Sequence, residues 1–120
     1  MDKEAENRIE ELRREIRKFR DDRDWKQFHN PKDLAISIAI EASELLEEFQ
    51  WKDNAGVDKK VKDEKHKIED EMADIYIYLL EMSDVLGVDL IEAAKKKMAK
   101  NKAKYPVEKA KGNSKKYTEL

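Results

Sequence analysis

The chain contains no cysteine, and its 120 residues include only 3 glycines, 2 prolines and 8% aromatic residues. Without cysteine, a disulfide framework and any thiolate metal site are excluded, and a reducing compartment fits. Glycine and proline are too rare for a turn-rich sandwich or barrel. No apolar run approaches the roughly 18 residues of a membrane-spanning helix, and the first residues lack a signal-peptide pattern. We therefore expect a helical, cytoplasmic protein without a membrane partner.

Charged residues make up 45% of the chain, compared with roughly a quarter in an average protein. The net charge of −2 hides an asymmetry, because residues 95–120 contain ten lysines and two acids, a balance of +8, which leaves −10 for residues 1–94. An acidic region followed by a basic one suits a protein that binds cations at one place and anions at another. A solvated lysine-rich tail is the alternative explanation.

Apolar residues recur at steps of three and four, which predicts four helices. The expected helices span residues 3–24, 31–51, 58–86 and 90–104. Asn30 followed by Pro31 is a typical helix start, and Gly87 is expected to end the third helix in a left-handed conformation. Residues 53–56 are expected to form a loop, and residues 106–120 a lysine-rich tail.

These helices predict one all-α domain over residues 1–120 with a four-helix-bundle-like fold. Residues 1–15 are expected to be an N-terminal extension of the first helix. The apolar stripes are thin for so small a chain, so we expect a second copy to complete the core. A homodimer or homotetramer is the predicted assembly.

Two pairs of acids lie within the most apolar helices. Glu41 and Glu44 are three residues apart and share one helix face, and Glu71 and Asp74 repeat this spacing. If the two helices pack together, four facing carboxylates need cations to stay ionised, and Mg²⁺, or Mn²⁺ in its place, prefers oxygen ligands. Exposed acids on amphipathic helices are the alternative. We expect other acids of these helices to face solvent, namely Glu47, Glu48, Glu64, Glu69 and Glu81.

A ferritin-like di-iron site is the competing carboxylate site in a helical bundle, but it typically needs two Glu-x-x-His motifs. The chain has 2 histidines. His66 follows Asp63 at the required spacing, which makes one imperfect copy of the motif. The sequence therefore favours Mg²⁺ over iron.

A longer pattern surrounds the acidic pairs. Glu41-x-x-Glu44 followed by Glu71-x-x-Asp74 resembles the ExxE…ExxD signature of the MazG-like, all-α nucleoside triphosphate pyrophosphohydrolases. Further segments resemble the dCTP pyrophosphatase branch of this family in the same order, and they span residues 23–31, 48–51, 74–79, 97–106 and 114–120. The resemblance extends over about residues 16–120.

The resemblance implies hydrolysis of a nucleoside triphosphate, with dCTP or a modified dCTP favoured, to the monophosphate and pyrophosphate. It implies that Glu41, Glu44, Glu71 and Asp74 hold Mg²⁺, and that the role is removal of noncanonical nucleotides. Attack by water at the α-phosphorus requires charge neutralisation on the triphosphate, which metal ions provide. Glu41 or Glu44 is our candidate for the carboxylate that accepts the proton of this water.

Lys97, Asn101 and Lys104 lie at steps of four and three, which places them on one face of the fourth helix. With the resemblance, we expect these two ammonium groups and the amide to bind triphosphate oxygens. A solvated lysine face is the alternative.

Four residues are candidates for the base pocket, namely Trp25, His29, Trp51 and Tyr78. Aromatic rings stack on a nucleobase, and a histidine can read its edge. The resemblance places Trp25, Trp51 and Tyr78 around the base. Ordinary packing of large side chains at helix ends is the alternative.

A non-enzymatic function would also account for part of the pattern. A helical interaction module with a nucleic-acid-binding tail fits the +8 segment. However, the tail lacks interleaved aromatics and arginine, and the acidic remainder repels a phosphate backbone, so we do not expect nucleic acid as a partner. A relative that binds nucleotides without hydrolysis is disfavoured because all four acids are present.

Overall fold

The structure, a computed structural model, describes residues 3–120, and all its regular elements are helical. The α-helices are α1 (Lys3–Asp22), α2 (Pro31–Glu47), α3 (Asn54–Asp63), α4 (Lys65–Leu86), α5 (Leu90–Lys104) and the one-turn α6 (Val107–Ala110). Two 3₁₀ turns span Lys26–Phe28 and Tyr117–Glu119. Residues 3–120 contain no strand, which confirms the predicted all-α class.

The elements group into two compact units, of which one reaches to Gly87 and the other spans Val88–Leu120. The first unit contains α1 to α4, and the second contains α5, α6 and the final 3₁₀ turn. A single domain over residues 1–120 stays a prediction.

Helix α4 is the centre of the first unit, because α2, α1 and α3 all pack against it. Three apolar side chains of this unit are buried, Ile16 on α1, Leu34 on α2 and Leu80 on α4, and Leu34 is only 1% exposed. Burying one such side chain stabilises a fold by about 1.5–3 kcal/mol. This core is small, and it lies where α1 and α2 meet α4.

An ion pair joins α1 to α4. Arg17 donates from Nε to Asp84 Oδ2 at 2.7 Å and from a terminal nitrogen to Asp84 Oδ1 at 2.5 Å. These hydrogen bonds lower the pKa of the Asp84 carboxyl below its ordinary value. A bidentate pair fixes both distance and orientation, so it sets the register of α1 on α4.

The helix ends predicted from capping residues are confirmed. The Asn30 side chain accepts a hydrogen bond from the Asp33 backbone N–H at 2.9 Å, and Pro31 occupies the first turn of α2. Gly87 ends α4 with φ +65°, a left-handed conformation that glycine adopts without strain. At α5, Asp89 accepts from the next backbone N–H groups.

The predicted boundaries of the second and third helices were wrong. Helix α2 ends at Glu47 and not at residue 51. The segment expected to be a loop begins a separate helix, α3, because the Asp53 side chain accepts a hydrogen bond from the Gly56 backbone N–H at 2.8 Å. Asp53 therefore caps a helix start, a role that its loop-like neighbours concealed.

The helix expected over residues 58–86 is broken at Glu64, which has φ −130° and ψ 34°. Lys60 contacts both Glu64 and Glu48, and its distance to a Glu48 carboxylate oxygen is 2.5 Å. Neither glycine nor proline marks the break, so no local signal predicted it. Contacts across the fold orient α3 and α4 separately.

Large apolar side chains of this unit stay exposed on α2 and α4. They include Ile36, Ile40, Leu46, Met72, Tyr76 and Leu79. Among residues 3–120, no helix combines the length and apolar character that crossing a membrane requires. An exposed apolar surface of this kind often marks an interaction site.

Candidate metal centre and base pocket

Helices α2 and α4 bring the two predicted acidic pairs together. The cluster consists of Glu41, Glu44, Glu71 and Asp74. Each residue offers one carboxylate oxygen, and these four atoms all lie within 4.8 Å of one another. Spacing of three residues aligns the members of each pair on one helix face, and the packing of α2 on α4 joins the two pairs.

The carboxylates of this cluster are arranged so that they could hold a cation. The Oε2 atoms of Glu41 and Glu71 are buried and have no hydrogen-bond partner. A buried, unpartnered carboxylate is costly, and several of like charge repel one another. A four-oxygen donor set matches the preference of Mg²⁺ or Mn²⁺, so these residues fit a divalent metal ion.

Proton affinities report the same crowding of charge. Burial and the neighbouring carboxylate of Glu44 raise the pKa of Glu41 to about 7. Burial and Glu44 likewise raise the pKa of Glu71. Without a cation the folded cluster therefore takes up protons near neutral pH, which means that protons and a metal ion compete for it.

Three of the four predicted base-pocket residues form a continuous group of rings. The ring centroids of Trp25 and His29 are 6.3 Å apart, and those of His29 and Tyr78 are 6.4 Å apart. Tyr78 lies one helical turn beyond Asp74 on α4. Burial and the charge of Glu41 raise the pKa of the Tyr78 hydroxyl. The ring group therefore borders the acidic cluster.

Trp51 is separate from this group. It lies in the turn after α2 with φ +66°, and its side chain is 94% exposed. Within residues 3–120 its ring contacts none of the other three predicted base-pocket residues. A role for Trp51 at the base stays a prediction.

The predicted phosphate-binding residues lie in the second unit. Lys97, Asn101 and Lys104 are all on α5, as expected. Lys104 Nζ lies 4.6 Å from the centroid of the Tyr117 ring, a cation–π contact. Their binding of phosphate stays a prediction.

Glu81 was expected to face solvent, and this expectation was wrong, because its side chain is only 6% exposed. Its Oε2 lies 3.2 Å from His29 Nδ1. Glu81 follows Asp74 by seven residues, or two helical turns, so both lie on the same face of α4. That spacing was the signal available in the sequence.

The other acids expected to face solvent differ among themselves. Glu47 and Glu69 are exposed, which confirms the expectation. Glu48 is largely covered and pairs with Lys60, and Glu64 is partly covered beside the same lysine. Both acids contact Lys60 on α3, a helix that the sequence analysis did not predict.

Comparisons with known proteins agree with this architecture. A model of the MazG-like family matches residues 36–120. The dCTP pyrophosphatase 1 proteins of Rattus norvegicus and Homo sapiens are each 38% identical over 114 residues, which are 93% of this chain and 67% of the relative. The Bos taurus protein of that name is 37% identical over 118 residues, 97% of this chain and 70% of the relative.

A solved structure gives the same result. A pyrophosphatase from Archaeoglobus fulgidus DSM 4304 superimposes with a TM-score of 0.79 at 47% identity, and the match covers 82% of this chain and 93% of that one. The predicted MazG-type helical fold and the predicted enzyme class, a nucleoside triphosphate pyrophosphohydrolase, are confirmed by these comparisons. The chain belongs to the MazG-like family.

Proposed function

We propose that the chain is a Mg²⁺-dependent enzyme that hydrolyses dCTP, or a modified dCTP, to the monophosphate and pyrophosphate. The observation that carries this proposal is the acidic cluster, in which four carboxylate oxygens lie within 4.8 Å of one another. The cytosine preference rests on the relatives whose name is dCTP pyrophosphatase. The proposed role is removal of noncanonical nucleotides in the cytoplasm.

In this proposal Glu41, Glu44, Glu71 and Asp74 hold Mg²⁺, for which Mn²⁺ can substitute. A divalent ion bound there supplies charge neutralisation to the triphosphate and lowers the pKa of bound water. Glu41 or Glu44 accepts the proton of the attacking water at a carboxylate oxygen. A general base must be able to reach the proton that it accepts, and the Oε2 atom of Glu41 has no hydrogen-bond partner that would occupy it.

The ring group provides the base pocket. The ring of His29 contacts those of Trp25 and Tyr78, and this group lies next to the acidic cluster. A nucleotide whose phosphates reach the acids therefore has rings available for its base, and stacking of a base on an aromatic ring contributes about 1–3 kcal/mol. We assign the exposed Trp51 to the same nucleotide.

The triphosphate needs positive partners besides the metal ion. We propose that Lys97, Asn101 and Lys104 bind its oxygens, which gives the lysine-rich region a role in substrate binding. Exposed ammonium groups on one helix face can adapt to the phosphate positions.

A homodimer or homotetramer is the proposed assembly. Its support is the exposed apolar surface of α2 and α4, together with a core in which three apolar side chains of the described residues are buried. A surface of this kind is removed from water when a second copy covers it.

The test is product analysis in ¹⁸O-labelled water with Mg²⁺ and a panel of nucleoside and deoxynucleoside triphosphates. We expect monophosphate and pyrophosphate, the highest turnover with dCTP, no turnover with EDTA, and the label in the monophosphate. Label in the pyrophosphate would mean attack at the β-phosphorus. Release of the nucleoside diphosphate and inorganic phosphate would contradict the proposed reaction.

A further inference from the structure

A buried carboxylate lies beside the proposed base pocket and outside the acidic cluster. Glu81 Oε2 is buried and lies 3.2 Å from Nδ1 of His29, and neither atom has a hydrogen-bond partner in this arrangement. The terminal torsion of a histidine is soft, so a small rotation of the ring directs an Nδ1–H group at the carboxylate. The two side chains are therefore placed to act as a pair.

Burial raises the pKa of the Glu81 carboxyl, and the charges of His29 and Arg20 oppose this effect. Arg20 on α1 is buried as well, and its charge attracts the Glu81 carboxylate, against the effect of burial and of Asp84. His29 itself is flanked by the rings of Trp25 and Tyr78. The Glu81 oxygen, 3.2 Å from Nδ1, is placed to accept a hydrogen bond from Nδ1–H and thereby to orient the imidazole.

We propose that Glu81 is a positioning residue that holds His29 as the neutral Nδ1–H tautomer, so that Nε2 accepts a hydrogen bond from the exocyclic amino group of the base. This inference rests on the proposed function, which places His29 in the base pocket. It assigns a specificity role to a residue that touches no substrate, since the Glu81 oxygen facing His29 is buried.

The chemistry of the base explains what this tautomer selects. Cytosine presents an amino donor at the position where thymine presents a carbonyl acceptor, and uracil presents a carbonyl there too. A lone pair on Nε2 pairs with the amino group and repels the carbonyl. A mispaired polar group in such a site reduces affinity by about 10- to 100-fold, so the tautomer alone can separate dCTP from dUTP.

Glu81→Gln provides a sharp test because it preserves the shape of the side chain and gives it N–H donors that the carboxylate lacks. A carboxylate only accepts from Nδ1–H, whereas the amide NH₂ can also donate to Nδ1 and thereby stabilise the tautomer with the proton on Nε2. The ratio of kcat/KM for dCTP to that for dUTP is expected to fall about 10- to 100-fold. Glu69→Gln, the same change at an exposed position of α4, is the matched control and is expected to leave the ratio unchanged.

The alternative is that Glu81 only supports packing. Glu81→Gln would then lower turnover of dCTP and dUTP equally, and an unchanged ratio in this variant with His29 protonated at Nε2 would overturn the proposal. If this variant fails to fold, His29→Gln takes its place, because a glutamine side chain can donate or accept. We expect His29→Gln to lower the ratio as well, and an unchanged ratio would again contradict the proposed role.

The tautomer is measured without any turnover. In the ¹⁵N-histidine spectrum at pH 8.5, above the normal range of imidazole titration, His29 is expected to be protonated at Nδ1 in the wild type and at Nε2 in Glu81→Gln. His66→Gln assigns the signals, because the chain has 2 histidines. An Nε2–H form in the wild type would overturn the proposal. Absence of turnover with every triphosphate would instead contradict the proposed function.

Discussion

Helix α4 carries two carboxylate environments, at the half-buried Glu71 and at the buried Glu81, that differ in the sign of their neighbours. At Glu71 the nearest charged groups are other carboxylates, those of Glu44 and Asp74. At Glu81 the nearest groups include His29 and Arg20. Burial raises the pKa of both carboxyls, so burial does not distinguish them. The neighbours do distinguish them, because the charged groups around Glu71 are carboxylates, whereas those around Glu81 include His29 and Arg20.

The largest effect is expected at the acidic cluster with Glu44→Gln. This change removes one negative charge and preserves shape, so we expect kcat to fall by at least about 10³-fold, the order seen when a group acting on the transition state is lost. The folded state of the metal-free protein should be retained, because repulsion decreases. Initial rates with dCTP and circular dichroism measure the two effects.

Glu47→Gln is the matched control for that experiment, since Glu47 lies three residues further along α2 and is exposed. Its activity is expected to stay at the wild-type level. Wild-type activity in Glu44→Gln as well would show that the cluster is not the catalytic metal site.

Glu81→Ala, at the second environment, is expected to destabilise the fold, whereas Glu44→Gln is expected to leave it intact. It removes a carboxylate that attracts the buried Arg20 and lies beside His29, while Arg20 keeps its ion pair with Asp21 at 2.9 Å; removing one partner of a buried polar contact costs about 1–3 kcal/mol. We expect a comparable fall in the free energy of unfolding, measured by urea denaturation without metal. A loss below 1 kcal/mol, within the range of an exposed pair, would show that Arg20 and Glu81 are not coupled and would remove the contrast between the two sites.

Divalent metal should stabilise the protein in a pH-dependent way. Because the pKa of Glu41 is raised to about 7 in the folded state, the folded protein binds more protons than the unfolded one, and metal-free stability should fall as pH rises from about 4.5 to 7. Mg²⁺ replaces these protons, and at a hundredfold excess over its Kd it adds about 2.7 kcal/mol.

Thermal unfolding with and without Mg²⁺ at pH 6 and pH 8 tests this linkage. The increase in Tm with Mg²⁺ is expected to be larger at pH 8, and Glu44→Gln should reduce it. An increase that is equal at both pH values would mean that the metal ion does not displace protons from Glu41.

The smallest effect is expected for the basic region. Replacing Lys97 and Lys104 together by alanine should raise KM for dCTP about 10-fold, the loss of about 1.4 kcal/mol of binding, with kcat nearly unchanged. The corresponding control is Lys109→Ala together with Lys111→Ala, which preserves the net charge change. Equal KM values for the two double variants would show that charge alone, and not these positions, matters.

Much of the fold follows from local signals in the sequence. Asn30–Pro31, Gly87 and Asp89 are strong start and stop residues, and each of them begins or ends a helix in the structure. The break at Glu64 has no such signal, and it lies beside Lys60, which contacts Glu64 one turn away and Glu48 in a different segment. Non-local ion pairs of this kind cannot be read from spacing.

The same division applies to the site. The i, i+3 spacing of each acidic pair and the family pattern are properties of the sequence, because helix geometry alone aligns residues three apart. The sequence also determined the cap residues and therefore most helix ends. It did not determine which acids are buried, since Glu48 and Glu47 are adjacent in the chain, yet Glu48 is largely covered and Glu47 is exposed.

Only the tertiary structure decided which partners each carboxylate meets. Packing of α2 on α4 collected four acids within 4.8 Å, and packing of α1 on the same helix placed Arg20 near Glu81. Electrostatic energy depends on distances between residues far apart in the chain. A local pattern can therefore identify candidate acids, whereas the fold determines whether each one lies among other carboxylates or beside a histidine.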